Sequence, residues 1–235
     1  MSNMKLTVVK LGLMEYQIAL DLQFKILKLS QQKVMGNVLL LLEHPAVLTV
    51  GLNGKDNNVL INEKVLGEMG VSVLHSNRGG NVTYHGPGQV VAYPIINLND
   101  FGKDVKGYVR RLEEVSICLM REEYGLSVDR KAGFPGVWVL NNKITAIGCA
   151  VKRWVTMHGF ALNVNTNLEN FKWINPCGFT DKGVTSLEKL MGESQDMDMV
   201  INYIIKHFTD IFNMEAEIID KEIFLRKVED LYDGE

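Results

Sequence analysis

Cysteine is scarce in this chain: three in 235 residues, Cys118, Cys149 and Cys177, far apart and with no CxxC pair. An odd, scattered set excludes a disulfide framework and a cysteine zinc site as expectations and fits a reducing compartment. Long apolar runs are missing too. The longest, VLLLL at 38–42, is stopped by Glu43, His44 and Pro45, far short of the roughly 20 residues that cross a bilayer. The opening MSNMKLTVVKLG lacks the apolar core of a secretory leader, so a cytoplasmic location is expected and the sequon Asn81-Val82-Thr83 reads as accidental. An excess of positive charge is absent as well. With 25 basic against 28 acidic residues the net charge is −3, which points to no nucleic-acid partner. What remains is globular: 46% hydrophobic and 23% charged, enough to build a substantial core.

Hydrophobic periodicity predicts a strand at 5–10 and a helix over 13–30, with Leu13, Tyr16, Leu20, Phe24 and Leu27 on one stripe. Buried strands follow at 37–42 and 46–50, then a short helix at 62–69, a strand at 71–75 and another at 90–98. The clearest helix is 104–124, with Val105, Tyr108, Leu112, Val115 and Leu119 inward and Arg110, Arg111, Glu113 and Glu114 on the rest. Strands are expected at 136–140, 143–151 and 155–164, and irregular chain over 165–184. Thr185 and Glu188 offer a capping box for the next helix. A helix near 197–213, a strand near 215–219 and a helix near 221–231 close the chain. With no repeat, linker or strict βαβ alternation, one α+β domain spanning 1–235 is expected.

The densest signal is NRGGNVTYHGPGQ, residues 77–89. Its glycines suit either surface turns or a backbone that approaches a ligand closely. Neither nucleotide motif is satisfied: 86–91 fails GxGxxG at its last position, and Gly51-Leu52-Asn53-Gly54-Lys55 is too short for a phosphate-binding loop. Cys118 and Cys149 sit in apolar patterns and read as core. Cys177, between Pro176 and Gly178 in a polar stretch, reads either as an ordinary loop cysteine or as an accessible, reactive thiol. Lys143 opens the strand KITAIG; alone it is a surface lysine, but a cation beside a thiol lowers the thiol's pKa. His85 and His158 each adjoin a glycine, His44 sits in a corner, and His207 falls on the apolar face of its helix. Their spacings suggest no metal site.

Five blocks, LLEHPAVLTVG (41–51), RGGNVTYHGPGQ (78–89), NNKITAIG (141–148), HGFALNVN (158–165) and NPCGF…GVTSL (175–187), occur in an order that resembles the bacterial-type octanoyltransferases of lipoate biosynthesis. The resemblance implies the fold of the biotin and lipoate protein ligase catalytic domains, a mixed sheet flanked by helices. It implies transfer of an octanoyl group from the phosphopantetheine thioester of acyl carrier protein to an enzyme cysteine. From there the group passes to a lysine ε-amino group on lipoyl domains of 2-oxoacid dehydrogenases and on the glycine-cleavage H protein. By the same resemblance Cys177 is the nucleophile and Lys143 tunes it. Substrate contacts fall on Arg78, Gly79, Gly80, Asn81, Val82, Thr83, Tyr84 and His85, on Ala146, Ile147 and Gly148, and on Gly159, Phe160 and Ala161. Thr83, Tyr84 and His85 are expected around the reacting carbonyl. Neither ATP nor metal is implied, and a monomer is expected.

Cys149, directly after the AIG block, is a second candidate acylation point if Cys177 is lost. Arg130-Lys131 and Lys152-Arg153 are candidate docking charges for an acidic carrier protein, against the plainer reading of scattered solubilising charge. Three alternatives remain: an ATP-dependent lipoate or biotin ligase on the same fold, a non-catalytic module that binds acyl carriers, and a transferase moving octanoyl between lipoyl proteins. ATP requirement, the nucleophile and the acyl donor separate them.

Overall fold

A computed structural model describes residues 4–55, 58–175 and 183–234. The chain runs β1 (Met4–Leu13), α1 (Tyr16–Gln31), β2 (Asn37–Glu43), β3 (Val47–Val50), α2 (Glu63–Glu68), β4 (Ser72–His75), β5 (Val82–His85) and β6 (Gln89–Ile95). It continues with α3 (Val105–Tyr124), β7 (Asp129–Lys131), β8 (Phe134–Val139), β9 (Asn142–Lys152) and β10 (Val155–Asn163). The last elements are β11 (Gly183–Val184), α4 (Leu187–Met191), α5 (Met197–Phe212), β12 (Met214–Ile218) and α6 (Lys221–Asp233).

Two sheets form. The large one has the order β12-β1-β2-β6-β10-β9-β8-β7, with β11 pairing beside β9. It is mixed: β12, β1 and β2 are parallel, and the strands from β6 to β7 are antiparallel. The small sheet is β4-β3-β5. Central strand β2, NVLLLLE, buries its first six residues, as expected where helices cover both faces of a sheet. Leu39, Leu41, Val90, Ala92, Phe160 and Leu162 pack on one face under α3 and α5. Leu40, Leu42, Val91, Tyr93 and Ala161 pack on the other under α1 and α6. The small sheet has its own core of Leu48, Val50, Leu66, Val82 and Tyr84.

Element types follow the periodicity closely, with some departures, among them strands β5 and β7, where none was expected. The buried face of α1 is wider than the expected stripe: Tyr16, Leu20 and Leu27 are buried as expected and Ala19, Leu22, Ile26 and Leu29 join them, while Phe24 is exposed, as is Leu13 at the end of β1. On α3 Glu113 is buried rather than decorating the surface, because Gly136 N and Arg130 Nε donate to its two oxygens at 3.1 and 2.9 Å; Val105, placed inward, is exposed. The cap of α4 is Ser186, whose side chain accepts from Lys189 N, not Thr185. Inside 165–184, expected to be irregular, Leu168–Trp173 form a 3-10 helix and Gly183–Val184 form β11. Both described cysteines, expected in the core, are half-buried: Cys149 packs against the main core, and Cys118 has its Sγ 3.7 Å from Glu114 Oε1.

Candidate active site

The described parts of the blocks at 41–51, 78–89, 141–148 and 158–165 converge on the α1 side of the large sheet, where the small sheet abuts it. After β4 the chain crosses β9: Gly79 N donates to Cys149 O at 2.9 Å. The turn after β3 holds the crossing segment from its other side, with Leu52 N, Asn53 N and Gly51 N donating to the carbonyls of Arg78, Gly80 and Asn81. The crossing is tight. A Cβ on Gly148 would stand 2.8 Å from Gly79 O, and one on Gly51 2.6 Å from Gly80 O. These glycines allow backbone to lie directly on backbone.

The crossing fixes Arg78, which is 7% exposed. Its Nε donates to Thr49 Oγ1 at 3.0 Å, Nη2 to Thr49 O at 2.6 Å and to Thr49 Oγ1 at 2.9 Å, and Nη1 to Gly79 O at 3.0 Å. Among the described residues no carboxylate pairs with it, and burial pulls its pKa down from the ordinary arginine range. Around it lies a layer of buried, uncharged polar groups. Tyr16 OH donates to Ser76 Oγ at 2.7 Å. His44 lies 2.6 Å from Met14 O through Nδ1 and 2.7 Å from Tyr93 OH through Nε2. His85 stacks on Tyr16 with ring centroids 6.1 Å apart and meets the edge of His44 at 5.7 Å. His158 Nε2 is 2.7 Å from Asn77 Oδ1. Its backbone has φ +56, and its N–H donates to Gln23 Oε1 of α1 at 2.7 Å.

Burial pulls His44 and His158 each down to about 4, the nearby Arg78 cation adding to the effect on His158. Burial, then the neighbouring His44, takes His85 well below the ordinary value. Tyr16 and Tyr93 are pushed up by burial. At neutral pH the layer therefore holds neutral histidines and phenols around one guanidinium.

On β9 and β10, Ala146 pairs with Ala161, Ile147 with Phe160 and Gly148 with Gly159. Ala146 and Gly148 face the Arg78 segment. On the neighbouring strand pair, Gly136 pairs with Ala146 and Val137 with Thr145, but Trp138 pairs with Lys143, so Ile144 is an extra, bulged residue. The bulge shifts the alternation and brings Lys143 onto the face of Ala146 and Gly148. The lysine chain lies along Gly136, where a Cβ would stand 3.3 Å from Lys143 Cε. Its Nζ donates to Pro135 O at 3.2 Å and sits 4.8 Å from the Trp138 ring centroid.

Cys177 and its neighbours 176–182 lie outside the described residues. The chain on either side is anchored. Asn175 N donates to Asn58 O at 2.8 Å, and Gly183–Val184 pairs with Asn142–Lys143. Thr185 N donates to Lys143 O at 3.0 Å. From Thr185 a hydrogen-bonded chain returns to the histidines: Asn163 Nδ2 to Thr185 O at 3.0 Å, Gln89 Nε2 to Asn163 Oδ1 at 2.9 Å, and Gln89 Oε1 against His85 Nδ1 at 2.7 Å.

Several expected site residues are placed elsewhere. Ile147 and Phe160 point to the α3 face, into the main core, so only their backbones border the site. Alternation along β5 separates Tyr84 from Thr83 and His85. Val82 and Tyr84 belong to the core of the small sheet, and Tyr84 OH accepts from Asn170 Nδ2 at 2.8 Å. Asn81 is a turn residue, its Oδ1 accepting from Asn58 Nδ2 and Val82 N at 2.7 Å each. Cys149, half-buried, packs toward the α3 side, and burial pushes its thiol up to about 12; both facts argue against a second acylation point there.

Arg130 is already paired with Glu113 and Glu114, whereas Lys131 stands beside Lys143 on the Trp138 ring. Lys152 ends β9 and Arg153 opens the two-residue turn to β10. Lys152 lies nine positions along β9 from Lys143, about 30 Å in an extended strand. The residues missed from the sequence are Thr49, Gln89, Gly136, Trp138 and Asn163. Gln89 and Asn163 lie within the quoted blocks, but no spacing rule links Thr49 to Arg78 across 29 positions.

His207 is buried as expected, with Nε2 2.9 Å from Glu123 Oε1. Together with Glu122 these form the one potential metal-binding group among the described residues. It lies between α3 and α5, and Lys206 Nζ already donates to Glu123 at 2.7 Å. No described helix is long and apolar enough to cross a membrane.

The fold and the sequence together define the class. The lipoyl protein ligase A/B catalytic domain family matches residues 15–209. In fold the chain is similar to lipoate-protein ligase A bound with ATP, with TM-score 0.74 at 14% identity over 99% of this chain and 95% of that one. It is similar too to a bi-partite lipoate protein ligase from Thermoplasma acidophilum, with TM-score 0.74 at 15% identity over 98% and 92%. Within that class the nearer sequence relatives are octanoyltransferases. One from Desulforamulus reducens is 55% identical, covering 92% of this chain and 95% of that protein. Another, from Caldicellulosiruptor saccharolyticus, is 51% identical over 97% and 99%. The chain belongs to the octanoyltransferase family, enzymes of octanoyl transfer in protein lipoylation.

Proposed function

We propose that the chain, acting as one catalytic unit over 1–235, carries octanoyl from the phosphopantetheine thioester of acyl carrier protein to lipoyl-domain lysines in two steps. The acceptors are the lipoyl domains of 2-oxoacid dehydrogenases and the glycine-cleavage H protein, and the covalent intermediate is a thioester on Cys177. The reading places the enzyme in the cytoplasm as a monomer and needs neither ATP nor metal. The observation that carries it is the convergence of Lys143 and the buried Arg78 segment on one face of β9, with β11, which follows Cys177 within the same block, paired to Lys143.

A free thiol has a pKa near 8.5, so few are thiolate at neutral pH. The Lys143 ammonium favours the thiolate. In the first step Cys177 Sγ attacks the thioester carbonyl, the carbon–sulfur bond to pantetheine breaks, and Lys143 gives its proton to the departing thiolate. In the second step the acceptor amine attacks the Cys177 thioester. Lys143, now neutral, takes a proton from that nitrogen, and the Cys177 thiolate leaves, restoring the starting state. Exchange between thioesters is nearly isoenergetic, and amide formation runs downhill. Developing negative charge on the carbonyl oxygen is favoured by the Arg78 cation in its low-dielectric layer.

The test is intact-protein mass after mixing wild type and Cys177→Ser with octanoyl-acyl carrier protein in the absence of ATP, followed by peptide mapping. An adduct on Cys177 that chases onto a lipoyl domain is expected. Lipoyl-domain modification only with free octanoic acid and ATP would overturn the reading in favour of a ligase.

A further inference from the structure

We propose that the Trp138 indole is the seat of the Lys143 ammonium and that Trp138 is a positioning residue for acyl transfer. The inference rests on the transfer role proposed for Lys143. A lysine ammonium rides on four rotatable bonds and reaches many positions when its stem is unrestrained. For proton exchange with a sulfur and then with a nitrogen, it has to be held within about hydrogen-bond reach of both. Three features restrict it. The Ile144 bulge sets the direction of the side chain. The bare backbone of Gly136 forms a trough for the stem, with Cδ and Cε 3.4 and 3.3 Å from where a Cβ would be. The indole face then lies 4.8 Å from Nζ, while Pro135 O accepts from Nζ at 3.2 Å.

The seat is itself held. Trp138 is only 2% exposed. Its Nε1–H donates to Phe134 O at 3.2 Å, and the Phe134 ring meets it edge-on with centroids 6.5 Å apart. A second ammonium, Lys131 Nζ, lies 4.9 Å from the same centroid and donates to Asn141 Oδ1 in the β8–β9 turn at 2.6 Å. One buried ring thus carries two cations, an arrangement favoured by the negative face of an indole. Gly136 has φ +129, open to glycine alone, and its N–H is fixed by the buried carboxylate of Glu113. The support of Lys143 therefore extends through β8 to α3.

The experiment compares the full-length wild type, Trp138→Phe, Trp138→Leu and Lys143→Ala in steady-state octanoyl transfer from octanoyl-acyl carrier protein to a lipoyl domain, with Tm measured for each. Trp138→Leu is expected to lower kcat about tenfold, between the several-fold of a lost cation–π contact and the hundredfold of about 1 Å of misplacement. The donor KM should stay within about twofold, since the ring holds a proton-transfer group and not the donor. Trp138→Phe keeps an aromatic face and should retain at least about a third of kcat. Where Trp138→Leu does not fold, Trp138→Met is the non-aromatic comparison.

Equal loss in the Phe and Leu variants at equal Tm would reduce Trp138 to a packing residue and overturn the proposal. So would wild-type kcat in the Leu variant beside an inactive Lys143→Ala. Wild-type rates in Lys143→Ala would instead overturn the role given to the lysine, and the seat with it.

Discussion

Acidification to pH 5 should destabilise this protein well before its carboxylates titrate. His44 and His158 are each held at about 4 in the fold against 6.5 when free. Because the folded values are depressed, the unfolded chain takes up protons first. The stabilisation is complete above 6.5 and is lost as pH falls through 6.5 towards 4. At pH 5 each imidazole contributes a loss of about 2 kcal/mol, and the two together about 4 kcal/mol. That is a large part of the roughly 5–15 kcal/mol by which domains are stable. His85, also depressed by burial, acts in the same direction.

Urea unfolding at pH 7.5 and 5.0 reads this directly. With an m-value of about 3 kcal/mol/M, the midpoint should fall by more than about 1 M. His158→Asn keeps a residue that tolerates φ > 0 and should remove about 2 kcal/mol of the pH difference, although it lowers stability at both pH values. Equal midpoints at the two pH values, or a pH difference undiminished in His158→Asn, would refute the picture of buried neutral imidazoles.

Three further outcomes follow from the geometry. Gly148→Ala sets a methyl 2.8 Å from Gly79 O, and relief requires the Arg78 segment to move; about 1–3 kcal/mol of stability should be lost, with kcat falling at least about tenfold, and wild-type activity would show that the crossing is not needed. Cys149, facing the core with its thiol pushed up to about 12, should resist iodoacetamide at pH 8 while Cys177 reacts; labelling of Cys149 in the native state, seen by peptide mapping, would contradict its placement. Charge reversal of both Lys152 and Arg153 should leave the donor KM within about twofold, because the β9–β10 turn lies about 30 Å of strand from Lys143; a tenfold rise would move the docking surface to that turn.

Periodicity carried most of the fold because most elements bury one face: VLLLL of β2 and the inward row of α3 after Val105 are read directly. It failed where burial depends on a partner distant in sequence. Glu113 looks like surface until Arg130 and Gly136 arrive to satisfy it. Strand β3, expected from its apolar run, pairs with β4 and β5 in a sheet of their own and not with the main sheet, and nothing local to a strand names its sheet. The same limit applies at the site. The quoted blocks mark segments that meet where they are described: Gly51, the Arg78 segment and Gly148 touch. Within a block, strand alternation sends Tyr84, Ile147 and Phe160 away from the site, and the single bulge at Ile144 decides which way Lys143 points. A bulge is a property of paired strands and leaves no mark on one of them alone.

The glycine-rich stretch has a structural cause before it has a chemical one. Gly79, Gly80, Gly51 and Gly148 let three backbone segments touch, and the result is a rigid mount for one side chain, Arg78. Burying a guanidinium costs several kcal/mol, and burying it with no carboxylate partner among the described residues leaves that cost offset only by dipoles. Selection for stability alone favours pairing the cation or moving it to the surface. The surrounding layer does neither, and its histidines, held neutral, add no competing charge. A lone desolvated cation of this kind is most useful where negative charge appears only transiently, on a carbonyl oxygen passing through a tetrahedral state. A permanent carboxylate partner would cancel that field between turnovers.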